Sequence, residues 1–201
     1  QDYLSITLKQ FGKNSEEYAL ALFGLGSLYY DLGDYQKAEN YFLEASVIYK
    51  KTFGDEHPDY AITLNNLGLL YSNKGDYEKA EKYFLEALSI YKKTLGTEHA
   101  EYATSLNNLG LLYHHLGDYE KAESYLLESL AIYKNTFGTE HSSYGTSLNN
   151  LGALYSNKGD YEKAEKYYLE ALTIYKKSVG IEHPGYALSL ANLGPLYLDL
   201  G

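Results

Sequence analysis

The chain of 201 residues carries 17 lysines and no arginine against 27 acidic residues, which gives a formal net charge of −10, and it contains no cysteine. The chain lacks the guanidinium group that binds phosphates and base edges, and its negative net charge repels nucleic acid. We therefore do not expect nucleic acid as a partner. The lack of cysteine excludes disulfides and thiolate chemistry, and no apolar run approaches the roughly 20 residues of a membrane span. We therefore expect a cytoplasmic protein that binds neither nucleic acid nor membranes.

A unit of 42 residues repeats along the chain. Tyrosines recur at this spacing at positions 18, 60, 102, 144 and 186, and histidines at positions 57, 99, 141 and 183. Residues 60–101 and 144–185 are identical at 31 of 42 positions, which shared composition alone does not produce. The sequence therefore predicts a single repeat array over 1–201, made of a partial repeat at 1–17, full repeats at 18–59, 60–101, 102–143 and 144–185, and a partial repeat at 186–201.

Each repeat predicts a pair of helices, which the second repeat illustrates. The apolar and small residues of 60–74 follow the 3.6-residue period of an amphipathic helix, and they are Leu64, Leu67, Gly68 and Tyr71. Gly75 predicts a left-handed C-terminal stop, and the carboxylate of Asp76 predicts the N-cap of a second helix over 77–93. The inner face of this second helix carries Tyr77, Ala80, Phe84, Ala87, Leu88 and Tyr91.

One such hairpin does not bury its own apolar surface. Leu69, Leu70 and Ile62 widen the apolar arc of the first helix beyond what one partner helix covers. Stacked hairpins cover that arc, and the small residues Gly68 and Ala80 allow the two helices of a hairpin to approach closely. The predicted fold class is therefore all-α, a solenoid of stacked antiparallel helical hairpins, with the repeated tyrosines packed between layers.

The four histidines at the repeat spacing raise the question of a metal site. Equivalent residues on stacked helices lie about 8–10 Å apart or more, whereas zinc needs nitrogens at about 2.1 Å from one ion. We therefore predict that these histidines serve a turn or a helix start and that the chain holds no metal. Because the sequence carries no Walker, HExxH or Gly-x-Ser-x-Gly motif and no insertion within the array, we predict neither a cofactor nor an enzymatic activity.

A short motif recurs along the chain, and its asparagine pair is complete in the second, third and fourth repeats. In the second repeat it runs Leu-Asn-Asn-Leu-Gly-Leu-Leu-Tyr over 64–71, and it is followed by Gly75-Asp76-Tyr77, Ala80, Tyr83-Phe84 and Ala87-Leu88. This motif resembles the tetratricopeptide repeat (TPR), and the 42-residue length is similar to the class found in kinesin light chains and in sensor arms of bacterial and plant signalling proteins. The resemblance implies a right-handed superhelix whose first helices line a concave groove that binds peptides or protein segments.

Carried over residue by residue, the resemblance places one face of each first helix in that groove. The matching residues are Ile62, Asn65, Asn66, Leu69, Ser72 and Asn73; Thr104, Asn107, Asn108, Leu111, His114 and His115; Thr146, Asn149, Asn150, Ala153, Ser156 and Asn157; and Asn192. An asparagine amide both donates and accepts, so a ladder of these amides suits the main chain of an extended peptide. The open alternative is that the asparagines bond to neighbouring helices and set the spacing of the repeats, and a third interpretation gives each role to one of the two adjacent positions.

The predicted groove contains no lysine or arginine, which argues against a clamp for the C-terminal carboxylate of a partner. We expect a scaffold that binds a protein or peptide, as a sensor or adaptor arm of a larger protein. The alternative is a structural spacer or an oligomerisation module. Both ends of the sequence fall within a repeat, so we expect a fragment of a longer array whose apolar end faces permit head-to-tail self-association.

Overall fold

The chain forms α-helices over nearly its whole length. The computed structural model describes residues 2–200, except for the side chains of Asp2 and of residues 198–200. Within this range the chain has no strand, and its ten helices are α1 (Asp2–Phe11), α2 (Glu16–Asp31), α3 (Tyr35–Phe53), α4 (Pro58–Asn73), α5 (Tyr77–Thr94), α6 (Ala100–His115), α7 (Tyr119–Phe137), α8 (Ser142–Asn157), α9 (Tyr161–Ser178) and α10 (Pro184–Leu200). The prediction of an all-α chain is confirmed.

A glycine and an aspartate separate the two helices of each hairpin. Gly75 has a φ of 77°, in the left-handed region that favours glycine. The Oδ1 of Asp76 then accepts a hydrogen bond of 3.3 Å from the backbone N–H of Lys79, which satisfies one donor at the start of α5. The other hairpins have the same N-cap, formed by Asp34, Asp118 and Asp160. The predicted stop and N-cap are therefore confirmed.

The first helices begin earlier than the apolar period indicates. The apolar period covers 60–74, and Pro58 predicts the first turn of this helix; α4 begins at Pro58 and ends at Asn73, with His57 as its N-cap. Proline suits the first turn of a helix because that turn needs no N–H donor from it and its φ is already helical. The polar start of this helix carries no apolar signal, and the apolar period therefore misses it.

The two helices of each hairpin approach most closely at a glycine. A Cβ on Gly68 would lie only 2.5 Å from the Cε1 of Phe84, well inside van der Waals contact. Matching glycines in the other hairpins meet Phe42, Leu126 and Tyr168, each at 2.6 Å, and they are Gly26, Gly110 and Gly152. The close approach predicted from Gly68 is confirmed.

The helices group into two compact units, Gln1–Gly96 and Thr97–Gly201. In the first unit the hairpin α2–α3 is followed by the hairpin α4–α5, with α3 packed on α4. In the second unit the hairpin α6–α7 is followed by α8–α9, with α7 packed on α8 and α9 packed on α10. Consecutive hairpins therefore stack within each unit.

Polar clusters join one repeat to the next within each unit. In the first unit the hydroxyl of Tyr71 donates to the Oε1 of Glu39 at 2.5 Å, and the ammonium group of Lys74 pairs with the other carboxylate oxygen. The ring of Tyr71 stacks on Tyr83 with centroids 5.5 Å apart. The second unit repeats this cluster with Tyr155, Glu123, Lys158 and Tyr167. These tyrosines pack and bond between layers, as predicted.

Large apolar side chains are exposed on α1 and α10. On α1, Tyr3 is 68 % exposed and Ile6 is 56 % exposed, and on α10 Leu188 is 52 % exposed and Leu190 is 48 % exposed. The apolar faces that the sequence predicts on these two helices are present.

Candidate functional site

Most of the predicted groove residues are half-buried or exposed on the first helices, and we call this set the first-helix face. In the first unit it consists of Ile62, Asn66, Leu69, Ser72 and Asn73. In the second unit it consists of Thr104, Asn108, Leu111, His114, His115, Thr146, Asn150, Ala153, Ser156, Asn157 and Asn192. The face carries amides, hydroxyls, imidazoles and aliphatic groups, and it contains no lysine, arginine, aspartate or glutamate.

The structure corrects the position predicted for the first asparagine of each pair. Asn65, Asn107 and Asn149 are only 6, 8 and 4 % exposed. In the second unit the Oδ1 of Asn107 accepts a hydrogen bond of 2.9 Å from the Nδ2 of Asn150, and the Oδ1 of Asn149 accepts one of 3.1 Å from the hydroxyl of Ser189. A buried amide that bonds to the next first helix offers little surface to a ligand. These three asparagines therefore fit the alternative, in which they set the spacing of the repeats.

The second asparagine of each pair remains accessible. Asn66, Asn108 and Asn150 are half-buried, and the Nδ2 of Asn66 donates to the carbonyl oxygen of Ile62 in its own helix at 3.0 Å. Among the side chains that the structure describes, none bonds to the Oδ1 of Asn66 or Asn150 or to either amide atom of Asn108. These polar atoms are therefore available to water or to a ligand.

Two threonines of the first-helix face are fixed by tyrosines of their own hairpins. The Oγ1 of Thr104 lies 2.8 Å from the hydroxyl of Tyr133, and the Oγ1 of Thr146 lies 2.9 Å from the hydroxyl of Tyr175. Each threonine hydroxyl also donates to a backbone carbonyl one turn earlier, so the tyrosine hydroxyl is the donor in each pair. The hydroxyl groups of both threonines are therefore already hydrogen-bonded within their own hairpins.

A second link between neighbouring first helices was not predicted from the sequence. The Nδ2 of Asn73 donates to the hydroxyl of Tyr30 at 2.7 Å, and in the second unit the Nδ2 of Asn157 lies 2.7 Å from the Nε2 of His114. Burial lowers the pKa of His114, and the neighbouring His115 lowers it further, which favours the neutral ring that accepts this bond. The partners are 43 residues apart, so no pattern within one repeat indicates the link.

The repeated histidines cap the first helices, as predicted. The Nδ1 of His99 accepts a hydrogen bond of 3.2 Å from the backbone N–H of Glu101, and the same bond is formed by His57, His141 and His183. The ring of His141 also stacks on Phe137 with centroids 4.3 Å apart. Among the described residues, no three side chains of histidine, cysteine, aspartate or glutamate are grouped in a way that could hold a metal ion.

The 42-residue unit identifies the family. A family model for the tetratricopeptide repeat matches residues 4–51, 17–93, 61–135, 101–177 and 143–201. The chain belongs to the tetratricopeptide repeat family. TPR domains generally mediate protein–protein interaction, and the coarse prediction of a protein-binding scaffold agrees with this membership. No helix in the described part of this TPR chain is long and apolar enough to cross a membrane.

Solved TPR structures share the fold. The chain is similar to BtubC (BKLC) from P. vanneervenii, with a TM-score of 0.80, 24 % identity, and coverage of 100 % of this chain and 79 % of that one. It is similar to a putative kinesin light chain from Podospora anserina with nearly identical TPR-like repeats, with a TM-score of 0.72, 26 % identity, and coverage of 90 % and 86 %. The resemblance to kinesin light chain repeats is confirmed.

A third solved structure is the apo form of the quorum sensor NprR from B. thuringiensis. It has a TM-score of 0.78, 21 % identity, and coverage of 99 % of this chain and 53 % of that one. At this identity the likeness shows the fold alone. No curated protein sequence matches the chain.

Proposed function

We propose that this TPR chain binds an extended peptide or protein segment on its first-helix face, as a sensor or adaptor arm of a larger cytoplasmic protein. The observation that carries the proposal is the recurrence of a half-buried asparagine followed three residues later by an aliphatic residue, in the pairs Asn66 and Leu69, Asn108 and Leu111, and Asn150 and Ala153. Family membership supports it, because TPR domains generally bind proteins. The proposal assigns the chain no cofactor and no catalytic role.

The chemistry of the face favours recognition of a peptide main chain. An asparagine amide pairs with a peptide C=O through Nδ2 and with a peptide N–H through Oδ1, so it does not need a particular peptide side chain. The half-buried Leu69 and Leu111 offer apolar contact to side chains of the peptide. Since the face has no lysine or arginine, it does not supply the cations that hold a C-terminal carboxylate.

The proposal is tested by selecting peptides from a displayed library against the chain and measuring the affinity of one selected peptide. We expect Asn108→Ala to weaken binding about tenfold, because a peptide loses its hydrogen bonds to the amide. The matched control is Asn40→Ala, which removes an exposed asparagine of α3 that lies outside the first-helix face. We expect this control to bind like the unaltered chain.

Two outcomes count against the proposal. One is a selection that enriches no peptide, and the other is a selected peptide whose affinity falls equally in the Asn108→Ala and Asn40→Ala variants. In the second case the peptide binds to the chain without using the first-helix face.

Self-association is a second candidate function, and the exposed apolar residues of α1 and α10 favour it. Tyr3 and Ile6 on α1 and Leu188 and Leu190 on α10 are each about half exposed or more. A contact between α10 of one molecule and α1 of another uses two different surfaces, so it does not close on itself. Sedimentation velocity at rising concentration is expected to show growing species, which Leu188→Lys should suppress. A monomer at every concentration rules this candidate out.

A further inference from the structure

A small apolar pocket opens between α2, α3 and α4 in the first unit. It has a volume of 160 Å³ and is lined by Leu20, Phe23, Tyr49, Asp59 and Ile62. This volume is below the roughly 300 Å³ at which small-molecule pockets begin, so it suits one side chain and not a whole ligand. Because Ile62 belongs to the first-helix face, the pocket adjoins the surface proposed to bind a peptide.

Ring contacts hold the walls of the pocket in place. Phe23 packs on Phe42 with ring centroids 5.6 Å apart, and Tyr49 stacks on His57 with centroids 5.7 Å apart and planes within 10°. Tyr49 is 1 % exposed at the base of the pocket, whereas Leu20 is 57 % exposed at its mouth. Because the walls are already fixed and the mouth is open, a side chain enters this pocket without a large loss of conformational entropy in the pocket residues.

The pocket also has a carboxylate without a cation. In the part of the chain that the structure describes, neither Asp59 nor Glu16 forms an ion pair. Two neighbouring lysines pair with other carboxylates, Lys13 with Glu44 at 3.3 Å and Lys50 with Glu86 at 3.6 Å. Burial raises the pKa of Tyr49, and the charges of Asp59 and Glu16 raise it further, so both carboxylates act on the base of the pocket.

One of the two equivalent places in the second unit, 84 residues further along the chain, has a different chemistry. Its residues are Thr104, Asn107, Tyr133, Ser143 and Thr146. Here Thr104 replaces Leu20 and bonds to the hydroxyl of Tyr133, and Ser143 replaces Asp59. At this place the second unit therefore has neither the leucine and phenylalanine walls nor the carboxylate.

We propose that this pocket binds a lysine or arginine side chain of the partner segment. The aliphatic stem of such a side chain packs between Leu20, Phe23 and Ile62, and its cationic group pairs with Asp59. The net charge of −10 draws a cationic segment toward the chain from a distance. This inference rests on the proposed function, because it specifies one side chain of the peptide that the first-helix face binds.

A direct test uses small probes in place of the unidentified partner. The methyl resonances of Leu20 and Ile62 are followed by NMR while n-butylguanidinium, 1-pentanol or pentanoate is added. These probes share a similar apolar stem and differ in charge, so they separate burial of the stem from pairing of the cation. We expect saturable shifts with n-butylguanidinium at the lowest concentration, weaker shifts with 1-pentanol, and none with pentanoate.

Two variants assign the charge effect to Asp59. Asp59→Asn is expected to weaken n-butylguanidinium binding about tenfold. Glu101→Gln is the matched control, because Glu101 occupies the same position in the first turn of α6 and its N–H also donates to a histidine cap. We expect this control to leave the probe affinity unchanged. Equal binding of the cation and the alcohol, preference for the anion, no shift with any probe, or no effect of Asp59→Asn overturns the proposal.

The peptide selection distinguishes this inference from the proposed function. We expect selected peptides to share a lysine or arginine at one fixed position, and to lose that preference when the selection uses the Asp59→Asn chain. Enriched peptides with no cationic position contradict the pocket assignment and leave the peptide-binding function intact. A selection that enriches nothing contradicts the peptide-binding function, while the probe titration still decides what the pocket binds.

Discussion

The Nδ2 of Asn150 on α8 donates a hydrogen bond of 2.9 Å to the Oδ1 of Asn107 on α6. Asn107 is 8 % exposed, whereas Asn150 is half-buried. Adjacent residues of a helix point about 100° apart, so the two asparagines of a pair face different surroundings. The first asparagine joins the repeats, and we propose that the second one contacts the peptide.

Replacing Asn107 with alanine is expected to lower the free energy of unfolding by about 1–3 kcal/mol, because the Nδ2 of Asn150 loses a buried acceptor. The neighbouring variant Asn108→Ala is the matched control, and its effect is expected to stay within about 0.5 kcal/mol. Urea unfolding followed by circular dichroism measures both. Equal losses in the two variants would contradict separate roles for the two asparagines.

Two glycines of α2 predict opposite effects of the same substitution. A Cβ on Gly26 would lie 2.6 Å from the Cδ1 of Phe42, so Gly26→Ala is expected to destabilise the chain by about 1–3 kcal/mol through overpacking. At Gly24 nothing lies within 4 Å of a new Cβ. Gly24→Ala is expected to stabilise the helix by about 0.5–1 kcal/mol. Thermal unfolding decides the sign of each effect, and a neutral Gly26→Ala shows that the hairpin is not tightly packed there.

The histidine cap of α6 is tested by two substitutions of His99, which we expect to lower stability to different degrees. His99→Ala removes the acceptor for the backbone N–H of Glu101 and is expected to cost about 0.5–2 kcal/mol. His99→Asn keeps an acceptor at the N-cap and is expected to retain most of the stability. The comparison is made by urea unfolding at neutral pH. Identical stability of the alanine variant and the unaltered chain means that the cap contributes nothing.

Because Tyr168 is buried, we expect the free energy of unfolding to depend on pH in the alkaline range. Burial raises the pKa of Tyr168 to about 12, against about 10 in the unfolded chain. The folded state therefore holds the proton of the Tyr168 hydroxyl more tightly than the unfolded chain does. The stabilisation that results is complete below the unfolded pKa of about 10, and it is lost as pH rises toward 12.

The matched substitution for Tyr168 comes from the chain itself, because repeats one and two have Phe42 and Phe84 at this position. Tyr168→Phe removes the titrating group and keeps the ring. We expect the free energy of unfolding to fall less steeply above about pH 10 in this variant than in the unaltered chain. Parallel pH dependences of the two proteins between about pH 9 and pH 11 contradict the expectation.

Local chemistry explains which features were predictable from the sequence. Gly75 and Asp76 determine a helix end and a helix start through their own backbone and side chain, and both were predicted correctly. Gly68 indicated a close helix contact because it stands on the apolar side of a regular period, and Phe84 lies there. These features depend on neighbours within one repeat, which the sequence displays directly.

The surroundings of the asparagine pairs depend on how neighbouring first helices are rotated against each other. The resemblance places Asn65 in the groove, but the sequence of one repeat contains no information about the rotation of the next first helix. The structure buries Asn65 to 6 % exposure and leaves Asn66 half-buried. The bond between Asn73 and Tyr30 spans 43 residues and escaped prediction for the same reason.

The most direct test of the peptide-binding account is an NMR titration of the asparagine side-chain amides with a selected peptide. We expect the Nδ2 resonances of Asn66, Asn108 and Asn150 to shift as the peptide binds, because they lie on the first-helix face, and the resonance of the buried Asn149 to remain nearly unchanged. The contradictory result is a bound peptide whose shifts fall on the exposed leucines of the second helices, at Leu85, Leu127 and Leu169.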